Sequence, residues 1–212
     1  MSTPCKICEK RRARRHCPGK EAEICAPCCG NEREVTIDCP SSCSYLREAR
    51  LHEEPLPLRE DQVPNLDVKL SEKFIRDNEA LVYMLALALR RAMQEQNAVD
   101  ADAREAIEAA IRTYRTLESG LIYETRPANP YAAAIQDKLR DAVEELRKGI
   151  AENKSLQSVP PLRDADVLGA LVFLQRLELQ YSNGRRRGRA FHDFLAGYVG
   201  GPKAPDTQSV IA

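Results

Sequence analysis

The chain has 212 residues, of which 32 are basic and 32 are acidic, and it contains eight cysteines and no tryptophan. A formal net charge of zero argues against a protein whose whole surface attracts nucleic acids or membranes, because such attraction needs an excess of one sign. An apolar share of 43% is enough for a packed core, and the length fits one or two domains.

The start of the chain lacks the apolar run of a secretory signal, which predicts a cytoplasmic protein. The longest apolar stretch, residues 80–89, is too short for the ~20 residues that cross a bilayer, so we expect no membrane partner. All eight cysteines lie between Cys5 and Cys43. In a reducing cytosol, such a cluster favours metal binding over disulfide formation.

Residues 1–50 have the cysteine spacing of a zinc-binding module. A Cys-x2-Cys pair places two thiolates on one zinc ion, and two such pairs complete a tetrahedral site. The first predicted zinc site comprises Cys5, Cys8, Cys25 and Cys28. The second comprises Cys17, Cys29, Cys39 and Cys43. Because the chain visits the two sites alternately, we expect a cross-brace with two structural zinc ions.

The run Cys5-x2-Cys8-x8-Cys17-x7-Cys25-x2-Cys28 resembles the B-box zinc finger of tripartite-motif proteins. The resemblance covers only residues 5–43. Lys20 occupies a position where that family has a ligand, Cys29 can supply the missing thiolate, and the closing ligands are a cysteine pair instead of histidines. The resemblance implies a binding module without catalytic chemistry.

Residues 6–20 carry seven basic side chains against the single acidic Glu9. Arginine pairs with phosphates through a planar fork, so this loop could contact nucleic acid. No aromatic residue for base stacking precedes Tyr45, and contact with a protein or plain solvation are the alternatives. A second basic cluster near residue 187 could complement helix carbonyls, bind an acidic surface or form a solvated turn. The candidate anion or nucleic-acid contacts are Lys10, Arg11, Arg12, Arg14, Arg15, Arg185, Arg186, Arg187 and Arg189.

Three prolines in residues 51–68 predict a linker, preceded by a short helix over residues 44–53. Residues 69–199 predict an antiparallel bundle of about five helices, and residues 200–212 a disordered tail. The helices are expected at about residues 71–97, 102–119, 129–150, 164–183 and 187–199. Residues 81–89 are apolar on every side, which favours a helix at the centre of the bundle. The fold class is therefore mainly α.

The connection between the second and third predicted helices concentrates polar and aromatic side chains. Tyr123, Glu124 and Arg126 form a candidate pocket there, or alternatively satisfy the ends of the neighbouring helices. His192 is the one histidine after the linker, which argues against a di-metal site built from Glu-x-x-His pairs.

No phosphate-binding loop, nucleophile elbow or HExxH motif occurs in the chain. We therefore expect a zinc-binding interaction or adaptor protein, not an enzyme, whose structural zinc holds a surface for a protein partner. Two alternatives stay open. One is a nucleic-acid-binding protein that uses the arginine-rich loop, and the other is an enzyme with a pocket at residues 123–126.

Overall fold

The computed structural model describes residues 3–55, 57–153 and 160–200. These ranges contain eight α-helices and one two-stranded sheet, which confirms the prediction of a mainly helical protein. Across these ranges, no helix combines the length and the apolar character needed to traverse a bilayer. The predicted tail, residues 200–212, lies outside the described residues except for Gly200.

The N-terminal module, residues 3–50, is a hairpin followed by two short helices. Strands β1 (Arg15–Cys17) and β2 (Ala22–Ile24) pair antiparallel, and helices α1 (Ala26–Glu32) and α2 (Ser44–Arg50) follow. Its buried cluster consists of six cysteines with Ile24, Ile37 and Leu46. Three large apolar side chains are a small core for about 50 residues, so the thiols occupy the place that a hydrophobic core has in larger domains.

Six helices form the helical region, residues 70–153 and 160–200. They are α3 (Glu72–Asp77), α4 (Glu79–Glu95), α5 (Asp100–Glu118), α6 (Pro130–Glu152), α7 (Asp164–Tyr181) and α8 (Ala190–Gly200). Helices α4 to α8 bury their apolar faces in one common core. Helix α6 begins at the predicted Asn129-Pro130 step, because the Asn129 side chain accepts the N–H of Tyr131 at 3.0 Å and Pro130 fits the first helical position.

The first helix of the prediction, residues 71–97, is two helices in the structure. Asn78 separates α3 from α4, and its φ of −113° is not helical. Its side chain donates to the Phe74 carbonyl at 3.0 Å, and local bonds of this kind compete with the helical hydrogen bonds. The break also lets Phe74 lie against Gly169, where an added β-carbon would be only 2.3 Å from the phenyl ring.

The most enclosed helix is α7, whereas the sequence predicts the centre at residues 81–89 of α4. Tyr83 on α4 is 44% exposed, while residues 167–178 of α7 are all buried. The polar residues of α7 are satisfied inside the protein: Glu178 accepts two 2.8 Å bonds from Arg104. The prediction was wrong because the sequence of α7 contains several polar residues, which normally indicate a surface helix. In the structure these residues are buried.

Two helices begin at residues other than the predicted ones. Helix α5 starts at Asp100 instead of residue 102, since the Asp102 carboxylate sits in the first turn and accepts the N–H of Val99 at 2.9 Å. Helix α8 starts at Ala190 instead of residue 187. The preceding residues face the N-terminal module.

The predicted linker comprises residues 51–68, and its second half lies against the helical region. Arg176 is fully buried on α7 and donates to the carbonyls of Asn65 at 3.1 Å and Val68 at 3.3 Å. Arg115 on α5 reaches the same stretch through a 2.7 Å bond to Asp67. Because a buried guanidinium needs several acceptors, these carbonyls hold the stretch in place.

A buried acidic residue connects the N-terminal module to the helical region. Glu34 is fully buried, and its φ of +52° is one that few residues other than glycine adopt. Its Oε1 accepts the N–H of Arg189 at 3.0 Å, its Oε2 accepts the Asn183 side chain at 2.9 Å, and its carbonyl accepts the N–H of Arg187 at 2.7 Å. Arg50 on α2 supplies the countercharge. We call these five residues the Glu34 junction.

Asp100 gives the helical region a distinctive pH dependence. Burial raises the pKa of this carboxyl from 3.8 to about 7. The N–H groups of Phe191 and His192 act to lower this pKa, and the nearby charges of Glu178 and Glu34 act to raise it. Since the pKa is higher in the folded protein than in the unfolded chain, protonation favours folding, and that stability is lost as the pH rises from 3.8 through about 7. We expect the free energy of unfolding to fall by about 2 kcal/mol between about pH 5.5 and 7.5.

Urea unfolding followed by helical circular dichroism at the two pH values tests this expectation. Asp100→Asn should remove this contribution, because the amide is neutral at both values and still accepts a hydrogen bond. Asp137→Asn is the matched control, since its bond to Arg126 lowers the pKa of Asp137 and keeps it ionised throughout. The assignment to Asp100 fails if the Asp100→Asn protein retains the wild-type pH dependence.

Candidate metal centre

Four cysteine thiols of the N-terminal module converge in one cluster. Cys5 and Cys8 lie in the loop before β1, Cys25 directly precedes α1, and Cys28 lies in its first turn. Their sulfur atoms all lie within 4.8 Å of one another, and the Sγ atoms of Cys8 and Cys25 are 3.9 Å apart. The four thiols can therefore share one metal ion. They are the four that the two Cys-x2-Cys pairs predicted as the first site.

The local backbone explains how the two pairs meet. The chain turns back at Glu9, whose φ is +55° and whose N–H donates to the Cys5 carbonyl at 2.8 Å. The β1–β2 hairpin then returns the chain, so that Cys25 arrives beside the first pair. There the N–H of Cys25 donates to the Cys5 Sγ at 3.2 Å. A backbone N–H bonded to sulfur stabilises the thiolate form that binds metal.

The acidity of the thiols differs within the cluster. Burial acts to raise the pKa of Cys5, but the N–H groups of Cys8, Cys25 and Ile7 outweigh it and lower this pKa to about 6. Burial raises the pKa of Cys28 to about 12, and the adjoining thiols add to the rise. Several thiolates at this distance repel one another, so they can all ionise only when a cation neutralises them. The cluster thus has the electrostatic character of a cation site.

The second predicted quartet surrounds a small cavity. The four residues come from the end of β1, from α1, from the loop after it and from the residue before α2. The cavity has a volume of about 10 Å³ and is lined by Cys17, Cys29, Cys39 and Cys43. Burial raises the pKa of Cys39, and the charges of Glu34, Cys17 and Cys43 raise it further. Among the described residues, these sulfurs are not gathered into a cluster as tight as the first.

The basic loop lies on the outside of the module. Six of its basic side chains are exposed and have no ion-pair partner among the described residues: Lys6, Lys10, Arg11, Arg12, Arg14 and Lys20. Arg11 reaches back towards the first cluster, with its Nη1 at 3.8 Å from the Cys25 Sγ. The Arg15 guanidinium lies 4.5 Å from the centre of the Tyr45 ring and covers it. The loop therefore presents unpaired positive charge but no free aromatic ring.

The second basic cluster is divided between the interior and the surface. Arg189 is only 7% exposed, pairs with Asp38 and donates to backbone carbonyls. Arg185 donates to a carbonyl at the end of α1 at 2.7 Å. Arg186 and Arg187 are exposed, although Arg187 has Asp38 at 3.7 Å. The two interior arginines thus fasten the module to the helical region.

Only part of the candidate pocket lines one cavity, although Arg126 stays paired with Glu124 at 3.9 Å. Tyr123 and Glu124 line a cavity between the helices, whereas Arg126 lies outside it and makes two bonds to Asp137, at 2.9 and 2.7 Å. Gln136 on α6 belongs to the same cavity. No motif marks an isolated glutamine in an amphipathic helix, so sequence reasoning could not identify this residue.

Comparison with known proteins identifies no relative. No family model, curated protein or solved structure matches the chain. The similarity of residues 5–43 to a B-box finger therefore stays a prediction. The function of the chain is therefore inferred from the geometry of the thiols and of the surfaces around them.

Proposed function

We propose that the chain is a structural zinc protein with an adaptor role. Two zinc ions hold the N-terminal module, and the module presents its basic loop to an acidic surface of a protein partner. The observation that carries the proposal is the convergence of Cys5, Cys8, Cys25 and Cys28 within 4.8 Å. The proposed role requires no catalytic step.

The first cluster suits zinc in both distance and chemistry. A tetrahedron with zinc–sulfur bonds of about 2.3 Å has sulfur–sulfur edges of about 3.8 Å. The separation of 3.9 Å between Cys8 and Cys25 agrees with that edge. Four thiolates close the coordination shell and leave no position for a substrate, which is typical of a structural site. Soft sulfur donors also favour zinc over magnesium or calcium.

We infer a second zinc ion from the remaining thiols. All four line one small cavity, and three of them are almost completely buried. Zinc would draw these sulfurs together, because each gains a bond of about 2.3 Å to the ion. Cys28 and Cys29 are adjacent in α1 and would ligate different ions, so this helix would link the two sites.

Metal counting tests the two sites separately. Native mass spectrometry of protein purified without chelators should show two zinc ions per chain. Cys28→Ser should remove one ion and Cys39→Ser the other, because a serine hydroxyl does not supply the thiolate ligand. Cys17→Ser should behave like Cys39→Ser. One zinc ion or none in the wild-type protein would contradict the two-site arrangement, and loss of the first site in Cys17→Ser would contradict the pairing.

A protein partner agrees better with the basic loop than a nucleic acid does. The exposed charges of Lys6, Lys10, Arg12 and Arg14 have no acidic partner among the described residues, so they are free to meet carboxylates on another protein. Base stacking needs exposed aromatic rings, but Tyr45 is covered by Arg15.

Charge reversal at the loop tests this assignment. Arg12→Glu combined with Arg14→Glu should abolish capture of the partner from native cell extract and leave the zinc count unchanged. Arg76→Glu combined with Arg91→Glu is the matched control, because both arginines are exposed and lie outside both basic clusters. Partner capture that nuclease treatment eliminates would support the nucleic-acid alternative. Capture that survives reversal of the loop charge would contradict a role for the loop.

A further inference from the structure

The helical region contains an apolar cavity of about 320 Å³. Helices α4, α5, α6 and α7 all contribute to its wall, and the connection between α5 and α6 lies at its mouth. The apolar lining includes Leu85, Ala110, Leu139, Val143, Val167 and Leu171. The cavity opens to solvent beside Ile122 and Tyr123, so a small molecule can enter it. Cavities of roughly 300–1,000 Å³ are typical of small-molecule sites.

Gln136 gives the cavity one unsatisfied polar group. This side chain is 3% exposed, and its Nε2 donates to the Thr125 carbonyl at 2.7 Å. That bond fixes the orientation of the amide, because only the nitrogen can donate to a carbonyl. The Oε1 is buried and receives no hydrogen bond from the described residues. A buried carbonyl without a donor is unfavourable. This oxygen has almost no accessible surface, so a bound molecule could donate to it only after the Gln136 amide shifts towards the cavity, and that bond would be stabilising.

The two arginines at the cavity are already paired. Arg140 bonds Glu124 at 3.1 Å, and Arg147 bonds Asp164 at 2.6 Å. Glu144 also belongs to the lining but is exposed to solvent. An anionic ligand would therefore have to break one of these ion pairs or remain unpaired in an apolar cavity, and both are costly. An uncharged ligand avoids both costs.

The mouth of the cavity exposes large apolar side chains. Ile122 is 98% exposed and Tyr123 is 66% exposed, and both belong to the lining. Neighbouring Leu121 is 62% exposed. These side chains would close over a molecule that fills the cavity, and their contact with water would decrease.

We propose that this cavity binds an uncharged, largely apolar small molecule that carries one hydroxyl or N–H donor for Gln136. The size of the molecule follows from the volume. An apolar cavity of about 150 Å³ holds one benzene ring, so 320 Å³ corresponds to about two fused rings. The site is separate from the zinc module and does not depend on the proposed function.

2-Naphthol is a suitable probe, because it has two fused rings, one hydroxyl donor and no charge at neutral pH. The chain has no tryptophan, so the fluorescence of the bound probe can be read without indole background. Naphthalene lacks the donor and 2-naphthoate carries a charge, and both serve as competitors. We expect 2-naphthol to bind about tenfold more tightly than naphthalene, because one buried hydrogen bond increases affinity by about this factor. Naphthoate should bind most weakly.

Three variants separate the parts of the proposal. Gln136→Met should remove the preference for 2-naphthol and leave the affinity for naphthalene unchanged. Ala110→Leu and Val143→Phe each fill part of the cavity and should abolish binding of both compounds. Ala142→Leu is the control, because it enlarges a neighbouring residue of α6 outside the cavity. Circular dichroism confirms which variants are folded, and two filling variants keep the test usable if one of them does not fold.

The proposal is overturned if the wild-type protein binds neither 2-naphthol nor naphthalene up to their solubility limits. It is also overturned if a folded filling variant binds 2-naphthol as tightly as wild type does. Tighter binding of naphthoate than of 2-naphthol would overturn the uncharged ligand class. An unchanged preference in Gln136→Met would remove Gln136 as the acceptor.

Discussion

Removal of metal should unfold the N-terminal module and leave the helical region folded. The module buries few apolar side chains besides its thiols, whereas a structural zinc site contributes roughly 10–16 kcal/mol. Helices α4 to α8 have a separate and much larger core. Hydrogen exchange read by mass spectrometry, with and without a strong zinc chelator, should show loss of protection over residues 3–50 and retained protection in α5 and α7.

Zinc added back to the chelated protein is the control for this experiment, and it should restore protection to the module. Cys5→Ser combined with Cys28→Ser should reproduce the chelated state without any chelator. Full protection of residues 3–50 in protein that mass measurement shows to be metal-free would contradict a structural role for the metal.

Loss of the Glu34 carboxylate should have the second largest effect. Glu34→Ala removes the acceptor of the Arg189 N–H and of the Asn183 side chain. It also takes one of three carboxylates from Arg50, which keeps Glu53 and Asp193. Each buried donor left without an acceptor costs about 1–3 kcal/mol. Because the amides of Arg187 and Arg189 both donate to Glu34, we expect their exchange to accelerate as the module separates from the helices.

Two variants define how the Glu34 effect arises. Glu34→Gln should cost less than Glu34→Ala, since the amide oxygen still accepts a hydrogen bond. Glu108→Ala removes an exposed partner of Arg112 and should change the free energy of unfolding by less than about 1 kcal/mol. If Glu34→Ala cost no more than Glu108→Ala, the junction would have no part in holding the two regions together.

The sequence predicts best what depends on neighbouring residues. The cluster of Cys5, Cys8, Cys25 and Cys28 follows from two short spacings, because each pair lies within one tight turn or one helical turn. The start of α6 follows from Asn129 and Pro130, which act on the backbone directly beside them. The helical class follows in the same way from apolar periodicity.

Features that depend on distant residues are absent from the prediction. Glu34 is one of many glutamates, and nothing near it shows that Asn183 and Arg189 will enclose it. The central position of α7 depends on Arg104, which neutralises Glu178 from another helix. The break at Asn78 becomes favourable because Gly169 offers space for Phe74. In each case the deciding contact joins residues that are far apart in the chain.

The Glu34 junction also sets an order of events during synthesis. Glu34 leaves the ribosome 155 residues before Arg189. At a translation rate of ~5–20 residues per second, that interval lasts roughly 8–30 s. During it the nascent module can bind metal, but the Glu34 carboxylate has to stay hydrated because Asn183 and Arg189, which cover it, have not yet been made. Residues 3–50 therefore reach their final position only after the region around α8 has been translated.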